Sequence, residues 1–131
     1  MDPSSLIRAA KQVRERAHAP YSGFAVGAAL LCGDGSVFTG CNVENLSFGL
    51  TMCAERAAVG AAIAAGKREF HCIAIAADSD EVISPCGACR QVLAEFNPGL
   101  TIFSANLSGK AREFSLELLL PRASTGILNR S

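Results

Sequence analysis

Cys72-Ile73-Ala74-Ile75-Ala76-Ala77, then Ser84-Pro85-Cys86-Gly87-Ala88-Cys89-Arg90-Gln91-Val92-Leu93-Ala94-Glu95-Phe96, then Leu100-Thr101-Ile102-Phe103-Ser104, is the stretch that decides the fold. Its outer pieces are short, continuous apolar runs, as expected of strands buried on both faces. The middle piece is a helix entered through Ser84-Pro85 and closed by Asn97-Pro98-Gly99. Pro85 suits the first turn of that helix, where its missing N–H costs nothing. Asp78-Ser79-Asp80 is the turn after the first strand.

The same alternation extends in both directions. Upstream, Ser4 or Ser5 can cap a first helix with Leu6, Ala10, Val13 and Ala17 on its apolar face, ended by Pro20. Val26–Cys32 is a buried strand, Gly33-Asp34-Gly35-Ser36 a turn, and Val37–Val43 the returning strand of a hairpin. Asn45–Thr51 is a loop into a second helix, Met52–Ala65, stopped by Gly66. That helix is apolar on most of its faces, which predicts burial on several sides. Downstream, a weaker strand follows at Ala111–Phe114, then a short helix at Leu116–Leu120, Pro121 and a polar tail. A hairpin followed by alternating strands and helices predicts an α/β fold. It is a three-layer α/β/α sandwich around a mixed five-stranded sheet, in a single domain spanning residues 1–131.

Lys plus Arg and Asp plus Glu each number 12, so the formal net charge is zero. A polynucleotide binder usually carries a basic excess, so a small neutral substrate is expected rather than nucleic acid. The same neutrality gives little electrostatic resistance to self-association. The N-terminus is acidic and lacks an apolar signal core, and no run is long enough to span a membrane. Six cysteines in a chain of this length and apolar content then read as reduced thiols of a cytoplasmic protein, some of them put to metal or catalytic use.

Cys53, Cys86 and Cys89 are the candidates for that use. Cys86 and Cys89 lie three apart, on one face of a helix. Cys53 and Glu55 lie two apart and can serve one site only at a helix end. One zinc ion per chain is therefore expected at the N-termini of both the second and third helices, where partial positive charge stabilises thiolates. Three thiolates leave a fourth tetrahedral position open, and Glu55 beside them can move protons. Arg56 is a candidate donor to the thiolates from just behind them, and Arg90 a weaker one. Cys32, Cys41 and Cys72 sit in apolar strands and read as small core residues, and His18 and His71 as surface or locally satisfied residues.

With these residues in place, the chain resembles the cytidine deaminases of pyrimidine salvage, in their small homotetrameric form. The resemblance is carried by Pro20-Tyr21-Ser22-Gly23-Phe24-Ala25-Val26-Gly27-Ala28-Ala29-Leu30, Gly40-Cys41-Asn42-Val43-Glu44-Asn45, Cys53-Ala54-Glu55-Arg56 and Ser84-Pro85-Cys86-Gly87-Ala88-Cys89-Arg90-Gln91. It implies hydrolytic deamination of cytidine and 2′-deoxycytidine, with Glu55 as proton carrier. It also implies Asn42 and Glu44 at the ribose, Phe24 against the pyrimidine, and the Ala54 N–H and Ser84 C=O at the base edge. It implies a homotetramer with active sites near subunit interfaces, which the Ala- and Gly-rich second helix would permit.

Two positions depart from that pattern. Phe48 stands where many relatives carry a Tyr able to reach the sugar, a hydrogen bond worth about 0.5–1.5 kcal/mol. No aromatic follows Phe114, whereas many relatives place a Phe after Leu-Leu-Pro to reach a neighbouring subunit's site. Blasticidin S deamination is the nearest alternative activity. A zinc-stabilised module without activity is an alternative of another class, and it predicts a fourth protein ligand.

Overall fold

Strands β1 (Val26–Cys32), β2 (Val37–Cys41), β3 (Phe70–Ala77), β4 (Thr101–Asn106) and β5 (Ala111–Ser115) form one sheet in the order β2-β1-β3-β4-β5 in the computed structural model, which describes residues 1–123. β3 and β4 run parallel, and the other neighbours antiparallel, so the sheet is mixed as expected. Parallel strands need a crossover, and helix α3 (Gly87–Phe96) provides it.

The two faces of the sheet are covered differently. Along β1 and β3, Ala29, Ala74 and Ala76 point to one side and take helix α1 (Pro3–Arg14) through Leu6 and Ala10. Leu30, Ile73 and Ile75 point to the other, where they pack with helix α2 (Ala54–Ala64), α3 and the short helix α4 (Leu116–Leu119). Three layers result. Two glycines let the helices seat closely. A Cβ on Gly27 would stand 2.0 Å from the Ala10 carbonyl oxygen of α1, and one on Gly40 would stand 2.4 Å from the Ala58 nitrogen of α2.

Several boundaries differ from the sequence reading. α1 is capped by Asp2, whose Oδ1 accepts from the Ser5 N–H at 2.8 Å, rather than by Ser4 or Ser5. Pro3 takes the first helical position, so the cap must precede it. β2 ends at Cys41, because Val43 pairs instead with His18 and Met52. That pairing holds Met52 outside α2, which starts at Ala54 with Cys53 as its N-cap. Cys86 caps α3, so Pro85 lies before the helix and not in its first turn. α2 buries Ala54, Glu55, Ala58, Val59 and Ala62, while Gly60, Ala61 and Ala64 are exposed, so it is covered on one face rather than several. The polar tail expected after Pro121 is described to Ala123, and the part from Ser124 onward lies outside the described residues. No described helix is long and apolar enough to cross a membrane.

Candidate metal centre

Two helix starts meet on the same side of the sheet. Cys53 is the N-cap of α2, Cys86 the N-cap of α3, and Cys89 sits in the first turn of α3. Both caps have extended backbone (ψ 153° and 168°). The three sulfurs lie within 4.8 Å of one another. A tetrahedral zinc with Zn–S bonds of about 2.3 Å needs sulfurs roughly 3.8 Å apart, so the cluster closes on the ion with a small adjustment. Among the described residues no fourth metal-binding side chain joins them, so the closed site expected of a purely structural module is not formed.

The surroundings suit a cation bound by thiolates. Arg56 Nη2 is 3.4 Å from Cys53 Sγ, and the sulfurs of Cys53 and then Cys89 hold the guanidinium firmly charged. Its buried Nε has no hydrogen-bond partner among the described residues. Burial pushes the Cys89 thiol up, and the nearby charges of Glu55 and Cys53 push it further. Burial pulls Cys86 up too, but hydrogen bonding with Cys89 and Cys53 outweighs it and leaves this thiol below its ordinary value. The buried Cys89 sulfur in particular resists ionisation unaided, and a bound dication would favour its thiolate. Arg90 does not touch the sulfurs: its guanidinium goes to the carbonyls of Pro85 and Leu119. The expected role at the thiolates therefore falls to Arg56 alone of the two.

Glu55 occupies the first turn of α2 and is 5% exposed. That burial raises its carboxyl above the ordinary value, and hydrogen bonds from its own N–H and the Cys89 thiol oppose the rise only in part. A carboxyl so placed holds a proton more readily than an exposed one, which suits a group that must both take up and give back a proton.

A cleft of about 290 Å³ opens over this floor, with Cys53, Glu55 and Cys86 at its base. Phe24, Asn42, Glu44, Ala54 and Ser84 line it. Asn42 and Glu44 do so from beyond the end of β2, although the strand is predicted to include Asn42. Their side chains are already engaged. Asn42 accepts from the Val26 N–H and donates to the Phe24 carbonyl, both at 2.8 Å. Glu44 accepts from the N–H groups of Tyr21 (2.9 Å) and Ser22 (3.1 Å) and from the Ser22 hydroxyl. The Ser22 contacts, above all its hydroxyl, hold that carboxyl below the usual range, so it stays ionised.

Phe48 lies outside this cleft. It is 73% exposed and lines an adjoining hollow, edge-on to Tyr21 with ring centroids 6.1 Å apart. Ser22, Thr51 and Ile83 also line the cleft and were not singled out from the sequence. Ser22 left a signal: a serine two residues before Phe24 forms a local turn, its hydroxyl accepting from the Phe24 N–H at 2.9 Å. Thr51 and Ile83 left none.

Comparison with known proteins agrees with this geometry. The family described as the cytidine and deoxycytidylate deaminase zinc-binding region matches residues 2–105. A cytidine deaminase of Halalkalibacterium halodurans is 51% identical over 126 residues, covering 95% of this chain and 96% of that protein. One from Sporosarcina psychrophila is 48% identical over 124 residues, covering 94% and 91%. The crystal structure of cytidine deaminase from Burkholderia pseudomallei superposes with a TM-score of 0.90 at 52% identity, covering 93% of this chain and 98% of that one.

Proposed function

The chain belongs to the zinc-dependent cytidine and deoxycytidylate deaminase family, and from that premise we propose that its cleft binds cytidine or 2′-deoxycytidine with Glu55 as the proton carrier. The reaction adds water at C4 of the base, breaks the C4–N4 bond, and releases ammonia and the uracil nucleoside. Cys53, Cys86 and Cys89 would hold the zinc. When bound, zinc acts as a Lewis acid that brings the pKa of a water molecule down to about 7.

The remaining work falls to side chains. Glu55 takes a proton from the attacking water and passes it to N3, then takes the remaining proton from the hydroxyl added at C4 and gives it to the departing amine as the C4=O bond forms, the task of the non-ligating Glu in zinc deaminases generally. Arg56 offsets the surplus negative charge of three thiolates. The Phe24 ring packs on the pyrimidine. Glu44 offers the ribose an ionised acceptor held rigid by Ser22, and Asn42 offers what remains of its amide after holding Phe24 and Val26 in place. The Ala54 N–H and Ser84 C=O meet the base edge.

The observation that carries this reading is the buried Glu55 beside a three-sulfur cluster at the floor of an open cleft. Zinc-analysed protein is incubated separately with cytidine, 2′-deoxycytidine and blasticidin S, following ultraviolet loss and ammonia. Turnover of the nucleosides with one zinc per chain supports it. Turnover of blasticidin S alone overturns it, and so does inactivity with zinc bound.

The chain works as one domain, in a homotetramer with its active sites near the subunit contacts, and in the reducing cytoplasm. Leu46, Phe48, Leu50 and Met52 support the assembly, because they leave apolar side chains exposed in the segment between β2 and α2. The outward Gly60, Ala61 and Ala64 of α2 support it too. All six cysteines are free thiols, in keeping with that compartment. Sedimentation showing monomer at micromolar concentration would exclude the tetramer.

A further inference from the structure

The segment between β3 and α3 forms one wall of the cleft through Ile83 and Ser84. It carries no regular hydrogen bonding of its own, yet it is held at five carbonyls or hydroxyls by three side chains from elsewhere. Asn106, fully buried on β4, donates to the carbonyls of Ser79 (2.9 Å) and Asp80 (3.0 Å). Ser104, fully buried two residues earlier on the same strand, donates through its hydroxyl to the Ile83 carbonyl. Arg90 of α3 donates through Nε to the Pro85 carbonyl (2.7 Å) and through Nη2 to the Ser84 hydroxyl (3.1 Å). Its third contact, Nη1 to the Leu119 carbonyl at 3.1 Å, ties α4 to the same wall.

These contacts bear on one group in particular. The peptide plane entering Ser84 is pinned by Ser104, which holds the Ile83 carbonyl. The plane leaving Pro85 is pinned by Arg90, which holds the Pro85 carbonyl. Between them lies the Ser84–Pro85 peptide, and the proline ring fixes the torsion on its far side. The direction of the Ser84 carbonyl is therefore set from both ends by residues outside the cleft.

The geometry assigns Ser104 and Arg90 as positioning residues that aim the Ser84 carbonyl, and so set the preference for a 4-amino base over a 4-oxo base. This rests on the reading that the Ser84 carbonyl accepts from the exocyclic amine. A carbonyl aimed at position 4 attracts an amine there and repels an oxygen, so it separates cytidine from its product. A carbonyl free to swing loses both effects.

Ser104→Ala and Arg90→Gln are made separately in the zinc-loaded, full-length protein. The KM and kcat for cytidine, the Ki for uridine and the zinc content are measured. The expected result is a KM for cytidine raised about three- to tenfold, the scale of one hydrogen bond. The uridine Ki is unchanged or lowered, kcat falls less than KM rises, and zinc stays at one per chain. Either variant suffices, and Arg90→Lys, which keeps the charge but cannot hold three acceptors in one plane, replaces Arg90→Gln if that variant does not fold. Folded variants with an unchanged ratio of cytidine KM to uridine Ki overturn the assignment, as does equal weakening of both ligands. A wild-type protein that does not turn over cytidine removes the underlying reading and this assignment with it.

Discussion

Gly40→Ala tests the link between packing and chemistry. Gly40 sits on β2 beneath the first turn of α2, and the new Cβ would stand 2.4 Å from Ala58 N, 2.6 Å from Ala54 O and 2.9 Å from Ala57 C. All three neighbours are backbone, with no side-chain end to swing aside. Restoring an ordinary contact of 3.4 Å from 2.4 Å requires a separation of about 1.0 Å between strand and helix. Overpacking of this kind costs about 1–3 kcal/mol. The turn displaced is the one that carries Cys53, Ala54 and Glu55, and misplacement by about 1 Å can cost 10²-fold in rate. The expected result is a lower urea midpoint in zinc-containing buffer and a fall in kcat on cytidine of about tenfold or more. Gly99→Ala is the control, since its Cβ would meet only Asn97 Oδ1 at 3.7 Å, and it should stay within about 0.5 kcal/mol with full activity. Wild-type stability in Gly40→Ala would refute the clamp. Lost stability with intact kcat would show that the edge strand β2 yields instead of α2, which refutes the step from packing to catalysis.

Glu55→Gln should retain zinc by metal analysis and a native circular dichroism spectrum while turnover falls by at least about 10²-fold; near-native turnover would end the proton-carrier role. Arg56→Gln removes the donor 3.4 Å from Cys53 Sγ and should weaken zinc about 10–100-fold in chelator competition; unchanged affinity would mean the guanidinium does not act on the thiolates. Asp34 is held below the usual carboxylate range by Lys67, at 2.7 Å, and then by Ser36. A depressed carboxyl stabilises the fold above its unfolded value of roughly 3.9 and loses that contribution as pH falls. Asp34→Asn should therefore lower the urea midpoint slightly at pH 7, with the difference fading at acid pH; a difference that persists at pH 3 or below would contradict the linkage.

What was legible in the sequence follows physical lines. The β3–α3–β4 unit announced itself because apolar runs, Pro and Gly punctuate it within a few residues. The zinc ligands were legible because cysteine spacing at a helix end leaves few geometries. Contacts made across distance left little trace. Ser104 and Asn106 read as ordinary polar interruptions of a strand, yet their partners lie 21 to 27 residues away in the chain. The sequence ranks Arg90 only as the weaker donor to sulfur, and it is long-range contacts that remove it altogether, since its guanidinium is taken up by the Pro85 and Leu119 carbonyls. β2 was read too long because Asn42 and Val43 look like strand residues, and their pairing with Val26, His18 and Met52 is set by tertiary contacts.

The centre also shows why a deaminase floor is built from helix starts. α1 begins on Asp2, a residue that satisfies an exposed N–H with its own carboxylate. α2 and α3 begin instead on cysteines, which are poor caps, and so leave their positive ends facing one another across the sulfurs. Three thiolates and Zn²⁺ carry a net charge of minus one, and that surplus would weaken the metal as a Lewis acid. The two helix ends and Arg56 return positive charge to the sulfurs without adding a ligand or filling the fourth position. Glu55 adds a carboxyl to the same ground, and burial raises it above its ordinary value while the Arg56 charge opposes that rise only in part. A proton carrier paired to a strong cation would hold its proton too weakly to deliver it. The same residues that make α2 and α3 imperfect helices therefore keep the metal acidic and the carboxyl able to work in both directions.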